Sequence, residues 1–191
     1  MRILVRHRVN TIDELKSIPK DFGVEIDIRP YGKNLILHHD PFCEGASLGK
    51  FLQNYEHKLL IANIKSEGIE KEVINSLEKY GISDYFLLDV SFPFTVKLVN
   101  SGISSIALRF SEYESIETCL NFKGKAEWVF IDNITHLPVE NEAFQILKRY
   151  FKLCVVSPEL LGRDEIDNDK MLLEEYPVDA ILTKMPERWL D

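Results

Sequence analysis

Nine short apolar runs punctuate this chain, and almost all are separated by stretches of helical period. The runs are Ile3–Arg6, Val24–Ile28, Leu35–His38, Leu59–Ile64, Tyr85–Val90, Ser105–Phe110, Trp128–Asp132, Leu153–Ser157 and Ala180–Thr183. Most are continuously apolar rather than alternating, as expected of strands buried on both faces of a parallel sheet. Between them, Thr11-Ile12-Asp13-Glu14 has the pattern of a capping box opening a helix. Glu70–Tyr80 carries Val73, Ile74 and Leu77 on one face, with Gly81 as its C-cap. Helices are also expected over Phe94–Asn100, Glu114–Phe122, Asn141–Tyr150 and Asp169–Tyr176. One connection breaks the alternation. Arg29-Pro30-Tyr31-Gly32-Lys33-Asn34 is too short for a crossover helix, so the second and third runs should form an antiparallel hairpin. Without that returning arm, eight strands with helical connections remain. The expectation is therefore an α/β fold, a (βα)8 TIM barrel with a β-hairpin after strand two. At 191 residues the chain falls short of the roughly 250 usual for that barrel, so loops and helices must be trimmed. A doubly wound open sheet is the alternative, but no glycine-rich phosphate loop favours it.

No linker, low-complexity tract or charge block interrupts the series, so residues 1–191 read as a single domain. A net charge of -8 argues against nucleic acid or an anionic membrane surface as partner. It leaves a small anionic substrate open, because a local cation can reverse the field inside a cleft. No apolar run approaches the roughly 20 residues of a membrane-spanning helix. The segment from Met1 to His7 reads as a strand ending in charge rather than as a signal peptide. Cys43, Cys119 and Cys154 are an odd set without CxxC spacing, which suits a reducing cytoplasm. Cys119 and Cys154 fall in helix and strand patterns, as buried small apolar residues.

A barrel gathers its chemistry at the C-terminal ends of its strands. There this chain carries His7 and Arg8, Glu25 and Asp27, Asn63 and Lys65, Asp89 and Ser91, Arg109, Asp132, Ser157 and Glu159, and Lys184. The hairpin would bring His39 and Asp40 to the same opening. A lone His after a strand is more often structural than catalytic, and strand ends commonly carry polar residues. Glu25 and Asp27 say more. If Val24, Ile26 and Ile28 pack against helices, both carboxylates point inward, which is costly unless they are paired or metal-bound. His38 and His39 face opposite ways; His39, beside Asp40, is favoured for the mouth. His57 and His136 are expected in solvent-exposed loops.

These residues together resemble the glycerophosphodiester phosphodiesterase family, within the phospholipase C-like barrels. The resemblance rests on His7-Arg8-Val9, Asn10-Thr11, Glu25-Ile26-Asp27, His39-Asp40-Pro41 and Asn63-Ile64-Lys65, with Ser91-Phe92 and Thr183-Lys184-Met185-Pro186 later in the chain. It spans the whole chain in order, with its specific part in residues 7–65. It implies a metal-dependent phosphodiester hydrolase of lipid metabolism, acting on a glycerophosphodiester or a related diester. His7 and His39 would be the acid–base pair, and Arg8, Lys65 and Arg109 would bind substrate. Glu25, Asp27 and Asn63 would hold a divalent cation, Mg²⁺ or Ca²⁺, since oxygen ligands suit hard cations.

The sequence departs from that pattern at three places. Asn63 stands where the family has an acidic metal ligand, Val9 replaces the glycine after His-Arg, and Lys184 replaces an acidic residue. A catalytically degenerate barrel that binds a phosphorylated ligand or protein partner is therefore the second reading. A third is an aldolase or isomerase forming a Schiff base on Lys65 or Lys184.

Overall fold

In the computed structural model, residues 2–139 and 142–190 are described. The chain runs β1 (Ile3–Arg6), α1 (Ile12–Ser17), β2 (Gly23–Tyr31), β3 (Asn34–Leu37), β4 (Ala46–Ser47), α2 (Leu48–Leu52) and β5 (Leu60–Ile64). It continues through α3 (Glu70–Lys79), β6 (Tyr85–Leu88), α4 (Phe92–Asn100), β7 (Ala107–Phe110), α5 (Ile116–Leu120) and β8 (Trp128–Ile131). Last come α6 (Glu142–Tyr150), β9 (Lys152–Val156), α7 (Ile166–Glu175) and β10 (Ala180–Thr183), with 3₁₀ turns at Pro158–Leu161 and Pro186–Trp189. The expected Asn141 start of α6 lies outside the described residues.

This is a mixed α/β fold around one curled sheet. β2, β1, β10, β9, β8 and β7 lie side by side in parallel, and β5 and then β6 extend the parallel set from the far edge of β2. Between β6 and β7 the contact narrows to a single parallel bridge, Leu87 to Ile106. β2 is the longest strand and changes neighbours along its length. Its start pairs with β1, and its end, Ile28–Tyr31, pairs antiparallel with β3. His38 N–H then bonds the Asp27 carbonyl at 3.0 Å, so the returning chain comes back to the level of Asp27.

Alternation along the strands sorts the core. Val5, Ile61, Phe86, Leu88, Ala107, Trp128, Phe130, Cys154, Val156, Ala180 and Leu182 pack together on the concave side. Phe86 and Trp128 lie there with ring centroids 4.7 Å apart. Val24, Ile26, Ile28, Leu60, Val129 and Ile181 turn outward to the helices, with Leu15, Val73, Leu77 and Phe144 among their company. Economy of length is visible in the helices, which run from five to ten residues, and in the 3₁₀ turn that follows β10. Several expected boundaries move. The strand expected from Ser105 begins at Ala107, because Ile106 N–H turns back to the Ser104 carbonyl. The helix over 114–122 contracts to α5, with Ser115 as N-cap, and the last helix starts earlier, at Ile166.

Candidate active site

β2 builds the floor of the site. With Val24, Ile26 and Ile28 facing the helices, Glu25 and Asp27 point to the concave side, each only 1% exposed. Both are fully engaged. Glu25 Oε1 accepts from Asn63 Nδ2 at 2.8 Å, and Oε2 accepts from the Arg8 backbone N–H at 2.7 Å. Asp27 Oδ2 accepts from Asn10 Nδ2 at 2.9 Å, and Asn10 Oδ1 accepts from the Asp27 N–H at the same distance. Lys65 Nζ stands 3.2 Å from Asp27 Oδ1, and Arg8 Nε 3.6 Å from Oδ2.

The segment after β1 is shaped for these contacts. Arg8 takes a left-handed conformation, φ 56°, uncommon for a residue with a side chain. That turn aims its N–H at Glu25, while the next residue, Val9, is buried and donates its own N–H to the Glu25 carbonyl at 2.7 Å. Positive φ thus falls on the arginine, and Val9 at the family's glycine position carries no strain.

His7 lies beside the carboxylates, with Nε2 3.9 Å from Glu25 Oε2 and a buried Nδ1 that has no partner among the described residues. Burial, then the charges of Arg8 and Lys184, lower its pKa to about 4, so at neutral pH it is an uncharged imidazole. Glu25 moves the other way. Burial, then the neighbouring Asp27, raises its pKa to about 7 despite the bonds from Asn63 and Arg8. The usual order of proton affinity is inverted between these two groups.

Of the residues singled out from sequence, His7, Arg8, Glu25, Asp27, Asn63 and Lys65 come together. Arg109 joins at one remove: it is paired with both Asp89 and Asp132, and Asp89 lies 3.6 Å from Lys65 Nζ. Its guanidinium also stacks 5.1 Å from the Phe130 ring. His39 sits at the rim, its Nδ1 2.8 Å from Asp40 Oδ1, and has no direct bond to His7 or to either buried carboxylate. Its backbone is anchored: Arg29 Nε donates to the His39 carbonyl and Arg29 Nη1 to that of Lys65, both at 2.9 Å. His38 is held separately, Nδ1 accepting from the Asp40 N–H at 3.0 Å. Ser157 and Glu159 serve structure. Glu159 accepts from the Thr183 hydroxyl at 2.6 Å and from the Lys184 N–H at 3.0 Å, and Ser157 Oγ accepts from Trp189 Nε1 at 3.0 Å. Ser91 donates to Glu67. His57, expected in solvent, is half-buried with Nε2 3.1 Å from the Ile18 carbonyl; His136 is exposed. Cys119 and Cys154 are buried, and all three cysteines are free.

Sequence reasoning missed the work of Asn10 and Arg29, and it placed Asp89 at a strand end without its backbone conformation. Asn10 was visible only as part of a motif, and Arg29 gave no signal because both of its partners are backbone carbonyls. Asp89 adopts φ 58°, which no spacing announces. A cavity of about 290 Å³ opens where β6 and β7 part, lined by Asp89, Phe92, Thr95, Arg109 and Glu114 among others. It shares Asp89 with the carboxylate cluster and offers room beside it.

The donor set suits a divalent cation poorly. Ca²⁺ takes six to eight oxygens and Mg²⁺ a near-ideal octahedron, usually completed by waters. Here two carboxylates and one amide oxygen are available, and all four carboxylate oxygens already face protein donors. Among the described residues no group of three or more His, Cys, Asp or Glu is placed to hold a metal. Asn63 turns its NH₂ to Glu25, leaving its buried Oδ1 without a partner among the described residues.

A glycerophosphodiester phosphodiesterase from Agrobacterium tumefaciens superposes with a TM-score of 0.66 at 14% identity, covering 99% of each chain. A phosphoribosyl anthranilate isomerase from Thermococcus kodakaraensis gives 0.51 at 13% identity, covering 96% of this chain and 88% of the other. No protein-family model and no curated protein matches the sequence. The chain therefore has a fold like that of a glycerophosphodiester phosphodiesterase, with TIM-barrel-like character. Among the described residues no helix is long and apolar enough to cross a membrane.

Proposed function

We propose that this chain hydrolyses a phosphodiester at the C-terminal ends of its parallel strands. One observation carries the reading: His7 and Arg8 after β1, Glu25 and Asp27 on β2, and Lys65 after β5 meet in one contact network. In this reading the sheet closes as a (βα)8 barrel across the Leu87–Ile106 bridge, and β2 with β3 forms the hairpin that carries His39 to the mouth. The structural resemblance makes a glycerophosphodiester the first substrate to try. Lys65 and Arg8 would bind the phosphate oxygens, with Arg109 holding the Asp89 side of the mouth. His7, neutral, would take a proton from water or from a neighbouring substrate hydroxyl. His39, oriented by Asp40, would protonate the leaving oxygen. The leaving alcohol would lie in the cavity between Asp89, Phe92 and Arg109. A cytoplasmic location belongs to this reading, supported by three cysteines that form no disulfide.

The test is turnover of bis-p-nitrophenyl phosphate and of glycerophosphodiesters. His7→Ala and His39→Ala should each lower it by about 10²–10⁴-fold with the fold intact by circular dichroism. Unchanged turnover in both variants would remove the reading. A second reading, a barrel that binds a phosphorylated ligand without turnover, is favoured by the way Asn63 and Arg8 satisfy Glu25. It predicts phosphate binding by an inactive wild-type protein.

A further inference from the structure

We propose that Lys65 and Arg8, seated on Asp27, take the position a dication would otherwise hold, so that the mouth binds a phosphodiester anion through cations of its own chain. The anion's identity rests on the phosphodiester reading above; the absence of any need for a dication rests on the donor geometry alone. Position 63 is decisive. A carboxylate there would add a third negative charge facing Glu25, whereas the amide donates to Glu25 Oε1 at 2.8 Å. Charge in the floor is already matched: Glu25 and Asp27 lie against Arg8 and Lys65, with the ammonium 3.2 Å and the guanidinium Nε 3.6 Å from Asp27. A further ion with two positive charges would crowd both cations and would have to displace the Asn10, Asn63 and Arg8 donors from the carboxylates.

The same two cations keep donors to spare. Arg8 approaches Asp27 only through Nε, which leaves both of its Nη groups free among the described residues, and its side chain is 44% exposed. Lys65 Nζ contacts Asp27 and, at 3.6 Å, Asp89, which leaves one of its three N–H donors. A guanidinium with open donors and an ammonium on one buried aspartate make a fork suited to two phosphate oxygens. Lys184 adds positive charge close enough to lower the pKa of His7.

Calorimetric titration of the intact chain with MgCl₂ alone, CaCl₂ alone, and inorganic phosphate with and without chelator decides the matter. The expected result is no saturable dication binding tighter than about 1 mM, with phosphate binding that the chelator leaves unchanged. Lys65→Met should weaken phosphate binding about ten- to a hundredfold, and Lys65→Arg should recover part of it, which controls for a folding defect. Asn63→Glu, which supplies the missing carboxylate, should gain dication binding. Saturable dication binding by the wild type that disappears in Asp27→Asn, or loss of phosphate binding with chelator, would overturn the proposal. A chain that binds phosphate without a dication but cleaves no diester would sink the hydrolase reading and leave this one standing. A dication-requiring hydrolase would do the reverse.

Discussion

Burial shifts the proton affinities of His7 and Glu25 in opposite directions, and their pH behaviour follows from that. A histidine lowered from 6.5 to about 4 costs stability on acidification, because within that window the unfolded chain binds the extra proton. Glu25 acts in the opposite sense. Its raised carboxyl lets the native state hold the extra proton, so the stability it contributes is present at low pH and lost as pH rises through its folded value. The parent protein should therefore show a shallow dependence where the two overlap. In His7→Gln only the glutamate's contribution remains, and the variant should gain roughly 1–2 kcal/mol relative to the parent between pH 7 and pH 5. Urea unfolding at the two pH values measures this, and an equal offset at both would contradict it. Asn10 gives a second prediction. Its amide both donates to and accepts from Asp27, so Asn10→Ala strips two bonds from a buried carboxylate. The expected cost is about 2–3 kcal/mol by chemical denaturation, with weakened phosphate binding. The inward direction of Glu25 and Asp27 was readable from their alternation with Val24, Ile26 and Ile28. Their donors were not, since Asn10 and Arg8 lie about seventeen residues away in sequence and reach them only across the β1–β2 seam.

Secondary-structure elements were read most securely where local chemistry sets them. The Thr11–Glu14 capping box is present in both directions: the Thr11 side chain accepts from the Glu14 N–H, and the Glu14 carboxylate accepts from the Thr11 N–H. It opens a six-residue helix with little else to nucleate it, so Thr11→Ala should cost about 1 kcal/mol. Thermal melts would show this, and a loss indistinguishable from zero would mean that packing of Leu15 alone sets the helix. β2 shows what local chemistry leaves out. Its nine residues exceed the expected run because Arg29, Pro30 and Tyr31 gain partners in β3 after β1 has ended. Pro30 is tolerated because it stands in the segment where β2 has left the parallel ladder and pairs only with β3. Strand ends show the same limit. Asp89, just past β6, takes a left-handed conformation, φ 58°, and lines the neighbouring cavity.

Across the molecule, strand pairing is uneven. β2 and β5 share five register pairs, whereas β6 meets β7 through one bridge. Local opening follows the weakest pairing, so amides along the β6–β7 seam should exchange with solvent well before those of β2 and β5. Residue-resolved hydrogen exchange checks this, and equal protection on both sides would contradict it. The concave core resists such opening: Phe86 is fully buried against Trp128, and Phe86→Ala should cost about 3–5 kcal/mol.

Apolar periodicity by itself determined which segments become strands, which face of each is buried and that polar groups gather at one set of ends, because burial of hydrocarbon is decided by spacing along the chain. The family resemblance rests instead on the polar motifs of residues 7–65, which the sequence also displays. Only the tertiary structure decided that Asn63 turns its NH₂ to Glu25, that Arg8 takes the left-handed turn, that His39 stays at the rim and that Lys65 lies on Asp27. Hydrogen-bond partners, charge balance and proton affinity depend on distances between remote residues, and those distances exist only once the sheet has curled.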